Sequence, residues 1–222
     1  MKGCIFDLDG VICDTAKYHY LAWKKLADQL GIAFTAADNE RLKGVSRMDS
    51  LRILLSLGGH SYSDEQMEKF TECKNDWYLE YIDQINNEDL LPGVFKFILE
   101  LRKHNIRIAL GSVSKNAPVI LDRLGIVGCF DAIVDGNVVS SAKPDPEVFL
   151  MGARLLQLAP EDCIVFEDAV VGVEAAHNAG MKCVGVGSKT VLKEAELVIT
   201  SFCELNSEKY SYIAFLEERG VI

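Results

Sequence analysis

The chain has 222 residues, of which 49% are hydrophobic and 25% charged, and its formal net charge at pH 7 is −10. This length is long for one domain and allows two compact units, and the composition is ordinary for a globular protein. The negative charge argues against nucleic acid or an anionic membrane surface as a main partner, because both favour basic patches. An anionic substrate would therefore need local positive charge from lysine, arginine or a metal ion.

Cysteine usage indicates a reducing compartment. The chain has seven cysteines, an odd number without Cys-x-x-Cys pairing: Cys4, Cys13, Cys73, Cys129, Cys163, Cys183 and Cys203. Several lie in apolar runs, where a free cysteine acts as a small hydrophobe, so neither a disulfide framework nor a zinc site is expected. The N-terminal residues lack a signal-peptide pattern, and no apolar run approaches the roughly 18 residues of a membrane span. We therefore expect a soluble protein of the cytoplasm.

The first part of the chain predicts one strand followed by a helical insert. The apolar run at residues 2–9 predicts a buried strand that ends in a glycine turn. Residues 15–88 show helical spacing and no convincing strand. Within them, Ser63 and Gln66 form a capping-box pattern that predicts a helix over residues 64–81.

After a turn signal at residues 91–93, predicted strands and helices alternate. The strands are residues 106–110, 132–134, 164–166, 183–186 and 197–199, and the helices are 94–104, 118–124, 146–158, 170–179 and 210–218. This alternation predicts an α/β fold, a Rossmann-like parallel sheet with helices on both faces. We place the α/β core domain at residues 1–13 and 91–222, and a small inserted helical cap domain at residues 14–90.

Polar residues follow several of these strands, where α/β sheets bind their ligands. They are Asp7, Asp9, Ser112, Lys143, Glu167 and Asp168. Asp7 and Asp9 occupy positions i and i+2 of an extended segment, so both side chains can face one reacting atom. Each residue alone has an ordinary interpretation as an acidic turn, a turn serine, a surface lysine or a helix cap. Their common position at strand ends predicts a shared site.

The residue types at this predicted site favour phosphoryl transfer. Four carboxylates would repel one another unless a hard divalent cation lay among them, and oxygen ligands favour Mg²⁺. One lysine and one hydroxyl add groups that position a phosphoryl group and neutralise its oxygens.

Here the chain resembles a known family. The segment Asp7-Leu8-Asp9-Gly10-Val11, followed by Ser112, Lys143 and Glu167-Asp168, resembles the four motifs of the haloacid dehalogenase superfamily of phosphotransferases. The helical insert resembles the cap of that superfamily. More narrowly, residues 14–19, 42–47 and 112–116 are similar to segments of its sugar-phosphate mutases. The resemblance covers nearly the whole chain and weakens after about residue 188.

The resemblance implies roles for the core residues. Asp7 would be the nucleophile that forms an aspartyl phosphate, and Asp9 the general acid and base. Ser112 and Lys143 would bind the oxygens of the transferring phosphoryl group. Mg²⁺ would be held by Asp7, the main-chain carbonyl of Asp9, Glu167 and Asp168.

It also implies substrate contacts. Arg47 would bind the distal phosphate through its planar fork, and His19 would orient Asp9. Further contacts would come from Gly44, Val45, Lys74, Ser114, Lys115 and Asn116. One departure from the motif is the bulky Val113 after Ser112. Without the core motifs, Arg47 and His19 would be interpreted as surface residues of helices, and Trp23 and Trp77 are interpreted as packing residues.

The reaction implied is the interconversion of β-D-glucose 1-phosphate and D-glucose 6-phosphate through β-D-glucose 1,6-bisphosphate. Such an enzyme must keep water from the aspartyl phosphate, a task assigned to the cap. The alternatives are a sugar-phosphate phosphatase with the same nucleophile, and a non-catalytic phosphosugar-binding protein. The expected partners are small-molecule sugar phosphates, with no nucleic acid and no membrane, and the expected state is a monomer.

Overall fold

The computed structural model describes residues 1–205 together with Leu216 and Gly220. The helix predicted over residues 210–218 lies, apart from Leu216, outside the described residues. The chain forms two compact units. We call Met1–Asp14 with Asn86–Ile222 the core unit, and Thr15–Ile85 the helical unit.

The core unit contains a six-stranded, wholly parallel sheet, which confirms the predicted fold class. Its strands are β1 (Gly3–Phe6), β2 (Arg107–Gly111), β3 (Ala132–Val134), β4 (Cys163–Glu167), β5 (Lys182–Val186) and β6 (Leu197–Ile199). Their order is β3-β2-β1-β4-β5-β6. The strand order therefore reverses at β1, and such a switch point opens a crevice at the carboxyl ends of the strands.

Eight α-helices are described. The helical unit has α1 (Ala16–Gln29), α2 (Ala36–Glu40), α3 (Arg47–Gly58) and α4 (Asp64–Ile82), and the core unit has α5 (Val94–Lys103), α6 (Ala117–Arg123), α7 (Glu147–Leu155) and α8 (Val170–Asn178). Short 3-10 helices lie at Asn87–Asp89, Val127–Cys129, Pro160–Asp162 and Phe202–Leu205. Within the described part of the chain, none of these helices has the length and apolarity to cross a membrane.

Side-chain alternation along β1 fixes the two sides of the sheet. Phe6 stacks on Phe166 with ring centroids 4.7 Å apart and joins an aromatic cluster with Phe97 and Phe202. Ile5, its neighbour in β1, belongs instead to the aliphatic cluster beneath α7 and α8. Successive strand residues point to opposite faces, so a strand buried on both faces is apolar at every position.

The helical unit has a hydrophobic core of its own, built around Trp23, Leu26, Leu51 and Leu54. Side-chain caps begin three of its helices, and Thr35 accepts from the N–H of Asp38 before α2. Ser46 accepts from the N–H of Asp49 before α3, and Ser63 exchanges hydrogen bonds with Gln66 before α4, as the capping box predicts.

Two boundaries differ from the sequence predictions for physical reasons. The first strand ends at Phe6 because the next residues turn, with the Leu8 carbonyl accepting from the N–H groups of Ile12 and Cys13. The second crossing between the units lies at residues 85–86, a few residues before the predicted one. There the N–H of Leu91 donates to the Ile12 carbonyl at 2.9 Å, which ties this segment to the core unit.

Candidate active site

The end of β1 carries a buried ion-pair network. Asp7 follows the strand directly, and its N–H donates to the Phe166 carbonyl at 3.0 Å, which continues the pairing with β4. The Lys143 ammonium donates to Oδ1 of Asp7 at 2.5 Å and also to Oε1 of Glu167, the last residue of β4. Lys143 is 3% exposed and Glu167 1% exposed, so water screens these charges poorly.

Burial and charge set the protonation of this network. Burial raises the pKa of Asp7 to about 6, with a further rise from Glu167 that the Lys143 charge partly offsets. Burial lowers the pKa of Lys143, but the carboxylates of Asp7 and Glu167 outweigh burial and raise it above its ordinary value. Lys143 therefore stays cationic, and Asp7 is a carboxylate of enhanced basicity at neutral pH.

The loop after β2 places hydroxyls at the same sheet edge. Ser112 is buried, and its Oγ accepts from the N–H of Ser114 at 3.1 Å, while the Ser114 Oγ accepts from the N–H of Asn116 at 3.3 Å. These bonds wind residues 112–116 into a compact turn in which Asn116 is buried and Lys115 exposed. Gly136 lies against the main-chain carbonyl of Val113, where a Cβ on residue 136 would overlap.

Asp168 contacts the turn that follows β1 at Gly10, the residue after Asp9. Gly10 has a φ of +80°, and a Cβ there would overlap the Asp168 carboxylate, so this carboxylate lies against the main chain just after Asp9. The charges of Asp7 and Asp9 both raise the pKa of Cys13, in addition to its burial. Asp7 and Asp9 therefore both lie near Cys13, in the turn that follows β1.

The donor set fits a hard divalent cation. Asp7 and Glu167 both bind Lys143, and the Asp168 carboxylate lies against the main chain at Gly10, so carboxylates outnumber cations among these residues. Carboxylate oxygens are ligands that suit a hard divalent cation. No three acidic, histidine or cysteine side chains among the described residues form a ready-made metal cage.

The helical unit holds a second cluster of predicted residues. The Lys74 ammonium donates to Nδ1 of His19 at 2.9 Å, so Nδ1 carries the lone pair and the ring proton lies on Nε2. The ammonium also lies 4.8 Å from the Trp23 ring centroid and 4.7 Å from that of Tyr78. Tyr78 in turn stacks on the His19 ring with centroids 4.1 Å apart. Lys74 is thus buried in an aromatic cage.

Charge and burial keep His19 neutral. Burial lowers its pKa well below the ordinary value, and the positive charges of Lys74 and Arg47 lower it further. Arg47 begins α3 directly after the Ser46 cap, and Gly44 and Val45 lie half-buried just before it, with φ of +71° at Gly44. His19, Arg47 and Lys74 therefore form one electrostatic group within the helical unit.

Sequence reasoning did not identify the supporting residues. Gly136 packs against the turn at residues 112–116, and Trp23 and Tyr78 form the cage around the Lys74 ammonium. Neither a motif nor a local spacing marks these three residues. Trp23 does pack in the hydrophobic core, as predicted, but it also contacts the Lys74 ammonium. Only contacts between distant positions reveal these roles.

The chain is similar to several known proteins. Residues 1–180 match the family model of haloacid dehalogenase-like hydrolases. The chain is 45% identical over 210 residues to the β-phosphoglucomutase of Bacillus subtilis strain 168, covering 94% of this chain and 93% of that protein. It is 30% identical over 184 residues to the phosphorylated carbohydrates phosphatase of Thermotoga maritima, covering 82% and 83% respectively.

A solved structure of β-phosphoglucomutase from Clostridium difficile matches with a TM-score of 0.93 and 43% identity, and covers 100% of both chains. A parallel sheet with an acidic pair after its first strand and a buried lysine beside it defines a phosphoryl-transfer enzyme of the α/β class. The chain belongs to the haloacid dehalogenase-like hydrolase family. Phosphomutases and phosphatases of this superfamily generally use Mg²⁺.

Proposed function

We propose that this protein interconverts β-D-glucose 1-phosphate and D-glucose 6-phosphate through β-D-glucose 1,6-bisphosphate. The observation that carries the proposal is the Asp7–Lys143 contact at the switch point of the sheet. It provides a carboxylate nucleophile beside a permanent positive charge. The 45% identity to a β-phosphoglucomutase over 94% of the chain supports the choice of reaction.

The proposed first half-reaction transfers a phosphoryl group between substrate and enzyme. An oxygen of Asp7 forms a bond to phosphorus as the bond to the sugar oxygen breaks, or the reverse, with the two oxygens in line. Lys143 and the Ser112 hydroxyl bind the equatorial oxygens and stabilise their charge. Asp9 gives a proton to the leaving sugar oxygen, and takes one from the hydroxyl that attacks aspartyl phosphate in the second half.

Mg²⁺ is the proposed cofactor. Asp7, Glu167, Asp168 and the Asp9 main-chain carbonyl would hold it, which matches the excess of carboxylate oxygens at this edge. When bound, it supplies positive charge that lets an anionic nucleophile approach an anionic phosphate.

A mutase must favour a sugar hydroxyl over water as the acceptor. A substrate with phosphates at both ends needs a second phosphate-binding group, for which Arg47 is the proposed residue because its fork binds phosphate through two hydrogen bonds. The proposed further contacts of the substrate are Gly44, Val45, Lys74, Ser114, Lys115 and Asn116. Binding energy from this remote phosphate would then contribute to assembling the reacting groups.

The proposal is tested by a coupled assay for glucose 6-phosphate, primed with the bisphosphate and run with the β and α anomers of glucose 1-phosphate side by side. We expect product from the β anomer, with little inorganic phosphate released. Brisk phosphate release without isomerised product would reject the mutase function.

The second candidate function is a sugar-phosphate phosphatase. It is favoured by the 30% identity to a phosphorylated carbohydrates phosphatase over 82% of this chain. The first half-reaction is the same, and water then attacks the aspartyl phosphate. Phosphate release from a panel of sugar phosphates, measured beside the coupled assay, distinguishes the two functions.

We also propose that the protein acts in the cytoplasm as a monomer. The support for a reducing compartment is that all seven cysteines are free thiols, four of them buried. Light scattering coupled to size-exclusion chromatography tests the monomer, for which a mass near 24.6 kDa is expected.

A further inference from the structure

A carboxylate at the start of α7 binds the loop that leads to Lys143. Oε2 of Glu147 accepts from the N–H groups of Ser140 at 2.9 Å and Ser141 at 2.7 Å. The Ser140 hydroxyl also donates to this carboxylate, at 2.9 Å to Oε2 and 3.1 Å to Oε1. These hydrogen bonds hold the pKa of Glu147 below its ordinary value, so the carboxylate is charged throughout the neutral range.

The same helix contacts the lysine itself. The Phe149 ring is fully buried, and its centroid lies 4.9 Å from the Lys143 ammonium. The Pro144 carbonyl accepts from Nδ2 of Asn178 in α8 at 3.0 Å. The loop is therefore held before Lys143 by Glu147, at Lys143 by Phe149 and after it by Asn178.

The geometry of Glu147 differs from that of a helix cap. A capping side chain accepts from the N–H groups of its own helix. The first N–H of this helix is bound instead by Asp145, whose Oδ1 accepts from the Glu147 N–H at 2.9 Å. The Glu147 carboxylate instead turns back to residues six and seven positions earlier in the chain.

We propose that Glu147 is a positioning residue, which clamps the Ser140–Ser141 backbone so that the Lys143 ammonium meets Asp7 and the phosphate. A loop lysine has many rotamers, and ordering it costs conformational entropy. A charged acceptor bound to two N–H groups and one hydroxyl fixes the loop beforehand. The proposal rests on the phosphate-binding role of Lys143 in the proposed function.

The experiment is a double-mutant cycle that measures the affinity for inorganic phosphate by calorimetry, with Mg²⁺ present. The variants are Glu147→Ala, Lys143→Met and the double variant, with Glu161→Ala as the control at an exposed glutamate before β4. We expect Glu147→Ala to weaken phosphate binding about tenfold, the scale of one hydrogen bond to a charged group. In the Lys143→Met background, the same substitution should change the affinity less than twofold.

A glutamine at position 147 adds a second check. Its amide keeps one acceptor oxygen and loses the charge, so Glu147→Gln should fall between the wild type and Glu147→Ala. Melting temperatures report any general loss of stability, which would be the same in both backgrounds. The proposal is overturned if Glu147→Ala weakens phosphate binding equally in both backgrounds or in neither. It is also overturned if the wild type does not bind phosphate.

This readout is independent of the sugar reaction. If the coupled assay fails but the cycle shows coupling between Glu147 and Lys143, the proposed mutase function is wrong and the positioning role stands. If the mutase assay succeeds without coupling, only the positioning role is wrong.

Discussion

The Lys143 ammonium lies 2.5 Å from Oδ1 of Asp7, although 136 positions separate the two residues in the chain. The contact exists because β1 lies in the middle of the sheet, beside β4, and Lys143 lies in the loop that leads from β3 towards α7. It joins the group proposed to be phosphorylated to the group proposed to balance its charge.

Replacing Asp7 with asparagine should abolish turnover, with a loss of at least about a thousandfold, because an amide does not replace the carboxylate nucleophile. The fold should remain, since asparagine has nearly the same shape. The measurement is the coupled assay together with intact-protein mass, which should show a phosphorylated wild type and an unmodified variant. A variant that still gains a phosphoryl mass at this position would contradict the assignment.

Asp9→Ala should keep part of the Mg²⁺ affinity that Asp7→Asn loses. The proposed ligand from residue 9 is a main-chain oxygen, which alanine retains, whereas the ligand from residue 7 is a side-chain oxygen. Calorimetric titration of both variants with Mg²⁺ tests this difference. Equal losses of affinity would show that the roles of the two aspartates are assigned incorrectly.

The Asp7 carboxyl should titrate near pH 6 in the metal-free protein. This folded-state pKa lies above the ordinary value of 3.8, so the unfolded chain loses its proton first. The contribution of Asp7 to stability is therefore full below about pH 3.8 and is lost as the pH rises through about 6. Carbon NMR of labelled aspartate measures the midpoint, and added Mg²⁺ should lower it because a nearby cation favours the carboxylate. A midpoint near 4 without metal would refute the expected effect of burial.

Arg47→Ala should reduce mutase turnover by about ten- to a hundredfold, which corresponds to loss of charge-assisted hydrogen bonds to a phosphate. The residual release of inorganic phosphate should fall less, because that half-reaction uses groups of the core unit. Arg47→Lys keeps the charge without the planar fork and should give an intermediate loss. The informative quantity is the ratio of the two rates, and a larger loss of phosphate release would contradict a role on the distal phosphate.

Lys74→Met should raise the pKa of His19 and should no longer hold its ring proton on Nε2. Burial is the main cause of the low pKa and remains in the variant, so the rise should be partial. Below about pH 6.5 the histidine of the unfolded chain gains a proton, whereas His19 in the folded wild type stays neutral. The folded state therefore loses stability as the pH falls through this range, and the loss should be smaller in the variant. Nitrogen NMR of the imidazole should show Nδ1 as the acceptor only when Lys74 is present. An unchanged spectrum would mean that the contact does not determine the tautomer.

Much of the core site could be predicted from the sequence because its residues follow apolar strands. Asp7, Ser112 and Glu167 all occur where a buried run ends, and parallel strands bring such ends to one edge. Lys143 lies in the loop that follows a predicted strand, and this position alone groups it with the other three; its role at the phosphoryl group came only from the resemblance to a family.

The supporting contacts were not predictable because they depend on the packing of distant segments. Glu147 and Trp23 look like an ordinary helix-start carboxylate and a core aromatic residue, and both descriptions are correct as far as they go. Only the folded chain shows that the Glu147 carboxylate binds the Ser140 N–H and that the Trp23 ring lies against the Lys74 ammonium. A one-residue difference at the start of α6, by contrast, reflects the usual ambiguity of helix ends.

The central place of β1 has a consequence for biosynthesis. Gly3 pairs with Cys163, so β1 leaves the ribosome well before β4 and must wait for this neighbour until the intervening residues have been made. A nascent chain that has emerged only to about residue 140 carries Asp7 with neither Lys143 nor Glu167 beside it. The group of Asp7, Lys143 and Glu167 can therefore assemble only late in translation, after the second half of the sheet has been made.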